Sequence, residues 1–240
     1  MVKKKGIKTL CAIVVMAFCG FNAQAQLSHL ETSFYMGGNL PVGEFAADVQ
    51  NEQVPMTKEN IGSDAMIGVS FGARLSYNFD IGFGELSPLL HIDFKWNTMR
   101  GAHRDAFSTL SCKSSSSFNI PVFVGLNYRY PVTEIVKPFV EFGIGPDILF
   151  TSKEGGGKYS DGVAIPTLRY KPSTAFAWQI GGGTFLGEYV SFSLHYTWLG
   201  KHTMEYTKGT AKNIAGTLLE DNNMRWKKMS VLSLSVGFHF

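Results

Sequence analysis

Along most of the chain, apolar and polar side chains alternate one for one. From Met66 to Phe79, Ile67, Val69, Phe71, Ala73, Leu75, Tyr77 and Phe79 fall on one face, and Gly68, Ser70, Gly72, Arg74, Ser76 and Asn78 on the other, with Met66 the exception. A period of two belongs to a strand, because successive Cβ atoms of a pleated backbone point to opposite sides. The same alternation returns at Pro88 to Thr98, Phe118 to Arg129, Val140 to Ile148, Phe176 to Gly181, Val190 to Trp198 and Leu232 to Phe240. Leu30 to Gly38 carries it less regularly, which makes eight predicted strands. No stretch after the N-terminal segment shows a 3.6-residue period.

The links between these strands alternate too. Short ones fall at Asp80 to Glu85, Pro131 to Val136 and Gly187-Glu188; long ones fall at 43–64, 100–113, 151–172 and 200–227. An even strand count, with every long loop at one end and both termini at the other, predicts an all-β fold: an eight-stranded antiparallel up-and-down transmembrane β-barrel. A soluble β-sandwich or barrel also alternates, but its second face meets water. Here that face is mostly Gly, Ser and Asn with isolated charges, which suits the narrow lumen of a small barrel. Tyr35, Tyr77, Phe79, Trp96, Tyr128, Tyr130, Tyr189 and Trp198 near strand ends fit two interfacial girdles.

Composition adds an address. Residues 1–25 hold Lys3, Lys4, Lys5 and Lys8, an apolar stretch from Leu10 to Phe18 and the small-residue site Ala23-Gln24-Ala25, the layout of a Sec signal peptide cleaved before Gln26. Residues 26–240 are then the barrel domain. Removing that segment takes four of the 22 basic residues and none of the 19 acidic ones, so the formal +3 becomes 18 − 19 = −1. A near-neutral chain without a basic run offers no electrostatic footprint for nucleic acid. Cys11 and Cys19 leave with the signal, so Cys112 is the one thiol expected in the mature chain, and no intrachain disulfide can form.

The end of the chain, with Leu232, Leu234, Val236, Phe238 and Phe240 on one face, resembles the β-signal read by the insertion machinery of bacterial outer-membrane barrels. Phe118-Asn119-Ile120-Pro121, together with Lys137-Pro138-Phe139-Val140-Glu141-Phe142-Gly143-Ile144-Gly145-Pro146, resembles the Bacteroidetes outer-membrane β-barrel family of PorT-like and "porin family" proteins, small barrels of the OmpX and OmpA-barrel kind. The likeness extends over roughly Gly37 to Phe240, more in pattern than in identity. It implies an integral outer-membrane protein with periplasmic termini. PorT-like members are linked to secretion of surface proteins, and no catalytic motif carries over.

Candidate chemistry is sparse. Gly155-Gly156-Gly157-Lys158 lacks the first Gly of a phosphate loop, where Ser152 stands, and Tyr159 follows the Lys. Ser193 and His195 share a face with Glu141 in reach, but two-residue spacing sets side chains about 7 Å apart along a strand, too far for a Ser-His bond. His91, Asp93, His195 and His239 are a loose metal-ligand set, better read as lumen hydrogen bonders. The sequence therefore predicts no catalytic, metal or cofactor site and no enzyme. It predicts a polar lumen network of Arg74, His91, Asp93, Lys95, Asn127, Arg129, Glu141, Gln179 and His195, with Arg74 pairing Asp93 and Arg129 pairing Glu141. The expected role is structural or interaction-type, with outer-membrane lipid and lipopolysaccharide, the insertion machinery, and envelope or secretion proteins as partners. A PorT-like accessory factor of a surface-protein secretion system, or a narrow pore or ligand-binding barrel, is the alternative, and a lipid A-modifying enzyme ranks behind these.

Overall fold

The computed structural model describes residues 29–46, 65–99, 115–152, 154–158, 164–168, 170–204 and 225–240. The expected signal segment, residues 1–25, and Cys112 lie outside the described residues. Among the described residues, the strands of the main sheet are β1 (Leu30–Pro41), β2 (Gly68–Tyr77, resumed at Phe79–Asp80), β3 (Glu85–Met99), β4 (Ser115–Arg129), β5 (Val136–Thr151), β6 (Ser173–Leu186), β7 (Val190–Met204) and β8 (Arg225–His239).

Each strand pairs antiparallel with its neighbours in chain order, and β1 pairs β8, so the sheet closes on itself. Closure removes every unpaired edge, which a bilayer demands because lipid offers no hydrogen bonds. The seam is finished by reciprocal backbone bonds, Thr32 N–H to Phe240 O at 3.1 Å and Phe240 N–H to Thr32 O at 2.9 Å. The turn after β2 is made by Gly82 at φ 85°, whose N–H donates to Asp80 Oδ1 at 2.7 Å. Such a φ suits a residue without Cβ.

Burial is inside out relative to a soluble protein. On β5, Glu141 is 4% exposed while the preceding Val140 is 60% exposed, and the same inversion runs along every strand. Among the described residues no charged side chain faces outward between the two rims of the barrel; outward charges stand only near the turns (Asp80, Glu134, Glu188) or at the long-loop end (Glu44, Lys171, Lys201, Lys228). A water-soluble barrel buries its apolar face. This one buries its polar face and presents a continuous apolar band outward, the solution for a solvent of hydrocarbon.

Three expectations change. The strands outrun their alternating stretches, so β7 continues through Met204 and β8 begins at Arg225, both inside the segment 200–227 read as loop. Loop 151–172 holds a small hairpin, Glu154–Lys158 with Ala164–Leu168, so the Gly155 to Lys158 run is a strand. Tyr35, placed in the girdle, points into the lumen and is 6% exposed. Its ring stands 4.9 Å from the Arg74 guanidinium, a contact that favours the cation and draws the ring inward.

Candidate functional site: the polar lumen

All nine residues of the expected network face inward and are buried. Alternation alone puts them there. What they touch is set by strand tilt and side-chain length. Arg74 lies opposite His91 in the β2–β3 ladder, but its Nη1 crosses the lumen to Glu141 Oε2 on β5, at 2.7 Å. Its Nη2 stands 3.6 Å from Glu31 on β1. Asp93 pairs instead with Lys95, Nζ to Oδ2 at 3.0 Å, with His91 Nε2 3.0 Å from Oδ1. The expected Arg74–Asp93 pair is thus replaced: a guanidinium reaches farther than one ladder rung, while the shorter Asp93 is met by Lys95 and His91 on its own strand face.

Arg129 likewise does not meet Glu141. Its Nη2 donates to Glu31 Oε2 at 2.8 Å and its Nη1 to Glu85 Oε2 at 3.1 Å, while Phe185 stacks under it at 3.7 Å. The β4–β5 register places Asn127, not Arg129, opposite Glu141, so Arg129 lies one inward position nearer the turn and engages the acids there.

Glu141 is the hub. Besides Arg74, it accepts from Gln179 Nε2 at 2.9 Å and from Asn127 Nδ2 at 3.5 Å, and His195 Nε2 lies 3.0 Å from it. Gln179 accepts from the Thr197 hydroxyl at 3.2 Å. Farther toward the long loops, Lys95 Nζ donates to Ser233 Oγ at 3.1 Å, and Ser233 donates to Asn39 Oδ1 at 2.7 Å. Three cations, Arg74, Lys95 and Arg129, thereby meet the carboxylates Glu31, Asp93 and Glu141 inside one narrow tube. An unpaired charge there is costly, so mutual compensation is what lets the polar face be buried.

Glu31 was missed in the sequence because the alternation of its strand is weak. It also faces His239 Nδ1 at 2.9 Å, and His239 Nε2 lies 2.7 Å from Ser191 Oγ. A second missed cluster closes the long-loop end: His202 Nε2 lies 2.9 Å from Asp147 Oδ2, Asn119 donates to the same oxygen at 2.6 Å, and His202 Nδ1 is 3.4 Å from Ser173 Oγ. The residue types are those of a nucleophilic triad. Yet Ser173 Oγ already accepts the Thr203 N–H at 3.1 Å, and Asp147 and His202 are fully buried beside an apolar cluster of Phe45, Leu149, Leu199, Met229 and Val231. Phe45 comes from a short 3-10 turn, Gly43–Phe45, that follows β1. The cluster ties β4, β5, β6 and β7 to one another at the barrel mouth. Ser193 and His195 both face inward, and His195 is engaged by Glu141 rather than by Ser193. Among the described residues no group of three or more His, Cys, Asp or Glu is placed to hold a metal ion.

Fold and lumen together define a small membrane-spanning β-barrel with a packed polar interior. No protein-family profile and no curated protein matches the chain by sequence. Among solved structures it is similar to Ail, the attachment invasion locus protein of Yersinia pestis, crystallised with the heparin analogue sucrose octasulfate, at 13% identity and TM-score 0.43 over 88% of this chain and 99% of that one. It is similar to the outer membrane protein OprG of Pseudomonas aeruginosa at 11% identity and TM-score 0.45, covering 88% and 95% of the two chains. Neisserial surface protein A is similar at 12% identity and TM-score 0.36, covering 88% and 98%.

Proposed function

We propose that the chain is an integral outer-membrane protein whose barrel is a rigid, closed platform. It holds four long loops outside the cell and leaves both termini in the periplasm, with a structural or interaction role and no catalytic activity. One observation carries this reading: the lumen is filled by buried side chains linked through ion pairs and hydrogen bonds, from Glu31 near the turns to the Phe45 cluster at the long-loop mouth. A tube filled in that way leaves the loops and the outer wall as the surfaces that meet partners. The finer resemblance to PorT-like barrels belongs to the same proposal. Its two stretches lie on paired strands, Phe118 to Pro121 standing opposite the residues that directly follow the second stretch, Asp147 to Phe150, and a PorT-like role within that family would bring partners in a surface-protein secretion machine.

Labelling of intact cells tests the orientation. Cysteines introduced at Gly156 or Gly209, and native Cys112, are expected to react with an impermeant maleimide, while cysteines at Gly84 or Thr133 stay silent until the outer membrane is opened. Reaction at the turns and silence at the loops inverts the topology. Crosslinking and pull-down from native membranes then separates a PorT-like factor, which brings secretion proteins with it, from a free-standing barrel.

A further inference from the structure

The three short turns end in apolar tips. The β2–β3 turn presents Ile81 and Phe83, the β4–β5 turn Val132 and Ile135, and the β6–β7 turn Tyr189; Phe83, Ile135 and Tyr189 are 68%, 65% and 67% exposed. Each of the first two tips is held by its own hydrogen bonds. Ile81 N–H donates to Gly84 O at 3.0 Å, and Thr133 Oγ1 accepts the N–H groups of Ile135 and Val136 at 3.3 and 2.9 Å. The turns are also bonded to one another's strands. Gly187 N–H donates to Ile135 O at 2.7 Å, and the hydroxyl of Tyr128, near the end of β4, donates to Phe83 O at 3.0 Å. The three tips are thereby one fixed surface.

In each turn an exposed acid directly precedes an exposed apolar residue: Asp80 before Ile81, Glu134 before Ile135 and Glu188 before Tyr189. Among the described residues none of these three carboxylates is in an ion pair. The Lys and Arg described at this end are turned elsewhere. Arg129 is buried against Glu31 and Glu85, and Lys137 is half-buried, in phase with inward Phe139 and Glu141. This neighbourhood decides what can cover the tips. Sinking them into the bilayer would carry three carboxylates along, at a cost in desolvation, and an anionic leaflet repels the same groups. Apolar side chains kept out of lipid in this way mark a surface that meets another protein, and that protein must bring the opposite charge.

We propose that the turn end of the barrel is a docking surface for a basic, apolar segment of a protein in the compartment the turns face. Lysine or arginine side chains of that segment meet Asp80, Glu134 and Glu188, while its apolar side chains cover Ile81, Phe83 and Ile135. Because the turns are already fixed by their own hydrogen bonds, docking does not have to order them. The surface is separate from the long loops and the outer wall, the places where the proposed function has partners bind. Only the compartment in which the partner is found rests on the orientation given there.

Fluorescence anisotropy with the mature chain folded in phosphatidylcholine nanodiscs tests it. The probes are labelled peptides of equal length, alternating Lys and Leu, Lys and Ser, or Glu and Leu. The Lys-Leu peptide is expected to bind loaded discs on the order of tenfold more tightly than either other peptide does, and than it binds empty discs, and to weaken as salt rises. Asp80→Asn with Glu134→Gln and Glu188→Gln is expected to abolish the preference, although an amide oxygen at the first position still accepts the Gly82 N–H. Phe83→Ser with Ile135→Ser is expected to do the same, while Glu44→Gln at the opposite rim leaves binding unchanged. Heat-modifiable mobility on detergent gels checks that each variant is folded; if the triple variant is not, Glu134→Gln with Glu188→Gln is expected to lose part of the preference. Equal binding to empty discs would give the tips to the bilayer. That result, equal binding of the Lys-Ser peptide, or unchanged binding by the acid or tip variants overturns the site. Inverted labelling on intact cells with the Lys-Leu preference intact would overturn the orientation alone.

Discussion

Arg74 and Glu141 meet at 2.7 Å inside the barrel although they stand on β2 and β5, with two strands between them along the wall. Their bond is a tie across the lumen. Both side chains are buried, at 1% and 2% exposure, so removing one leaves the other charged in a water-poor tube. Glu141→Ala is expected to cost roughly 3 kcal/mol or more in urea unfolding of the reconstituted barrel. Replacing both partners, Arg74→Met with Glu141→Met, is expected to cost less than the sum of the two single changes, since no orphan charge remains. Additive costs would show that the tie is not a coupled pair.

Asp93 offers a comparison. Its removal strands Lys95 and leaves His91 only the more distant Glu141, at 3.8 Å, while Arg74 loses nothing. Asp93→Ala is therefore expected to destabilise by about 3 kcal/mol, and adding Lys95→Met is expected to recover much of that loss. If Arg74→Met rescues instead, the pairing expected from sequence alone is the true one.

Near the closing seam, Glu31 bridges Arg129 of β4 and His239 of β8. Glu31→Ala is expected to lower the temperature at which the compact gel form converts to the unfolded one, through the loss of about 2 kcal/mol. The effect should be smaller than for Glu141→Ala because Arg129 keeps Glu85. A change as large as that of Glu141→Ala would place the main charge hub at the seam rather than mid-lumen.

Fold and lumen membership were largely legible because the strand period is rigid: wherever Arg74, Asp93, Glu141 or His195 alternated with apolar neighbours, its inward placement followed. The partners were not legible. Alternation fixes a side, but reach across a tube depends on tilt and side-chain length, so Arg74 found Glu141 and Arg129 found Glu31. Alternation also fails where its phase changes. Between Trp198 and Gly200 the β7–β8 register shifts by one residue; Leu199 still follows Thr197 on the inward face, but beyond it the phase has changed, and His202 rather than Lys201 faces the lumen. A reading that stopped at Trp198 lost the Asp147–His202 cluster for that reason.

The bulge makes its own prediction. Gly200 has φ 94°, and a Cβ there would run into the Phe176 carbonyl and the Ala175 side chain. Gly200→Ala is thus strained twice, in backbone conformation and in contact, at an expected cost of about 1–3 kcal/mol. The barrel is expected to close still, because the β7–β8 rungs from Val190 to Trp198 are untouched. Hydrogen exchange is expected to quicken at Lys201 to Thr203 and not at Phe192 to Tyr196. Uniform acceleration along β7 would mean that the bulge holds the whole strand rather than its end.

The last prediction concerns passage through the lumen, which two layers oppose. Mid-lumen, Arg74 and Glu141 span the tube with Gln179, His91 and His195 around them. At the long-loop mouth, Phe45 is fully buried among Leu149, Leu199, Met229 and Val231. An eight-stranded barrel has room inside for side chains and little else. Wild type is therefore expected to show no steady single-channel conductance in planar bilayers. Phe45→Ser alone is expected to stay closed, because the charged tie below it is intact. Phe45→Ser combined with Arg74→Ala and Glu141→Ala removes both layers at once, and that variant, checked for folding by gel mobility, is expected to conduct. Steady conductance from wild type would mean that water already threads the network, and the closed platform would give way to a narrow pore.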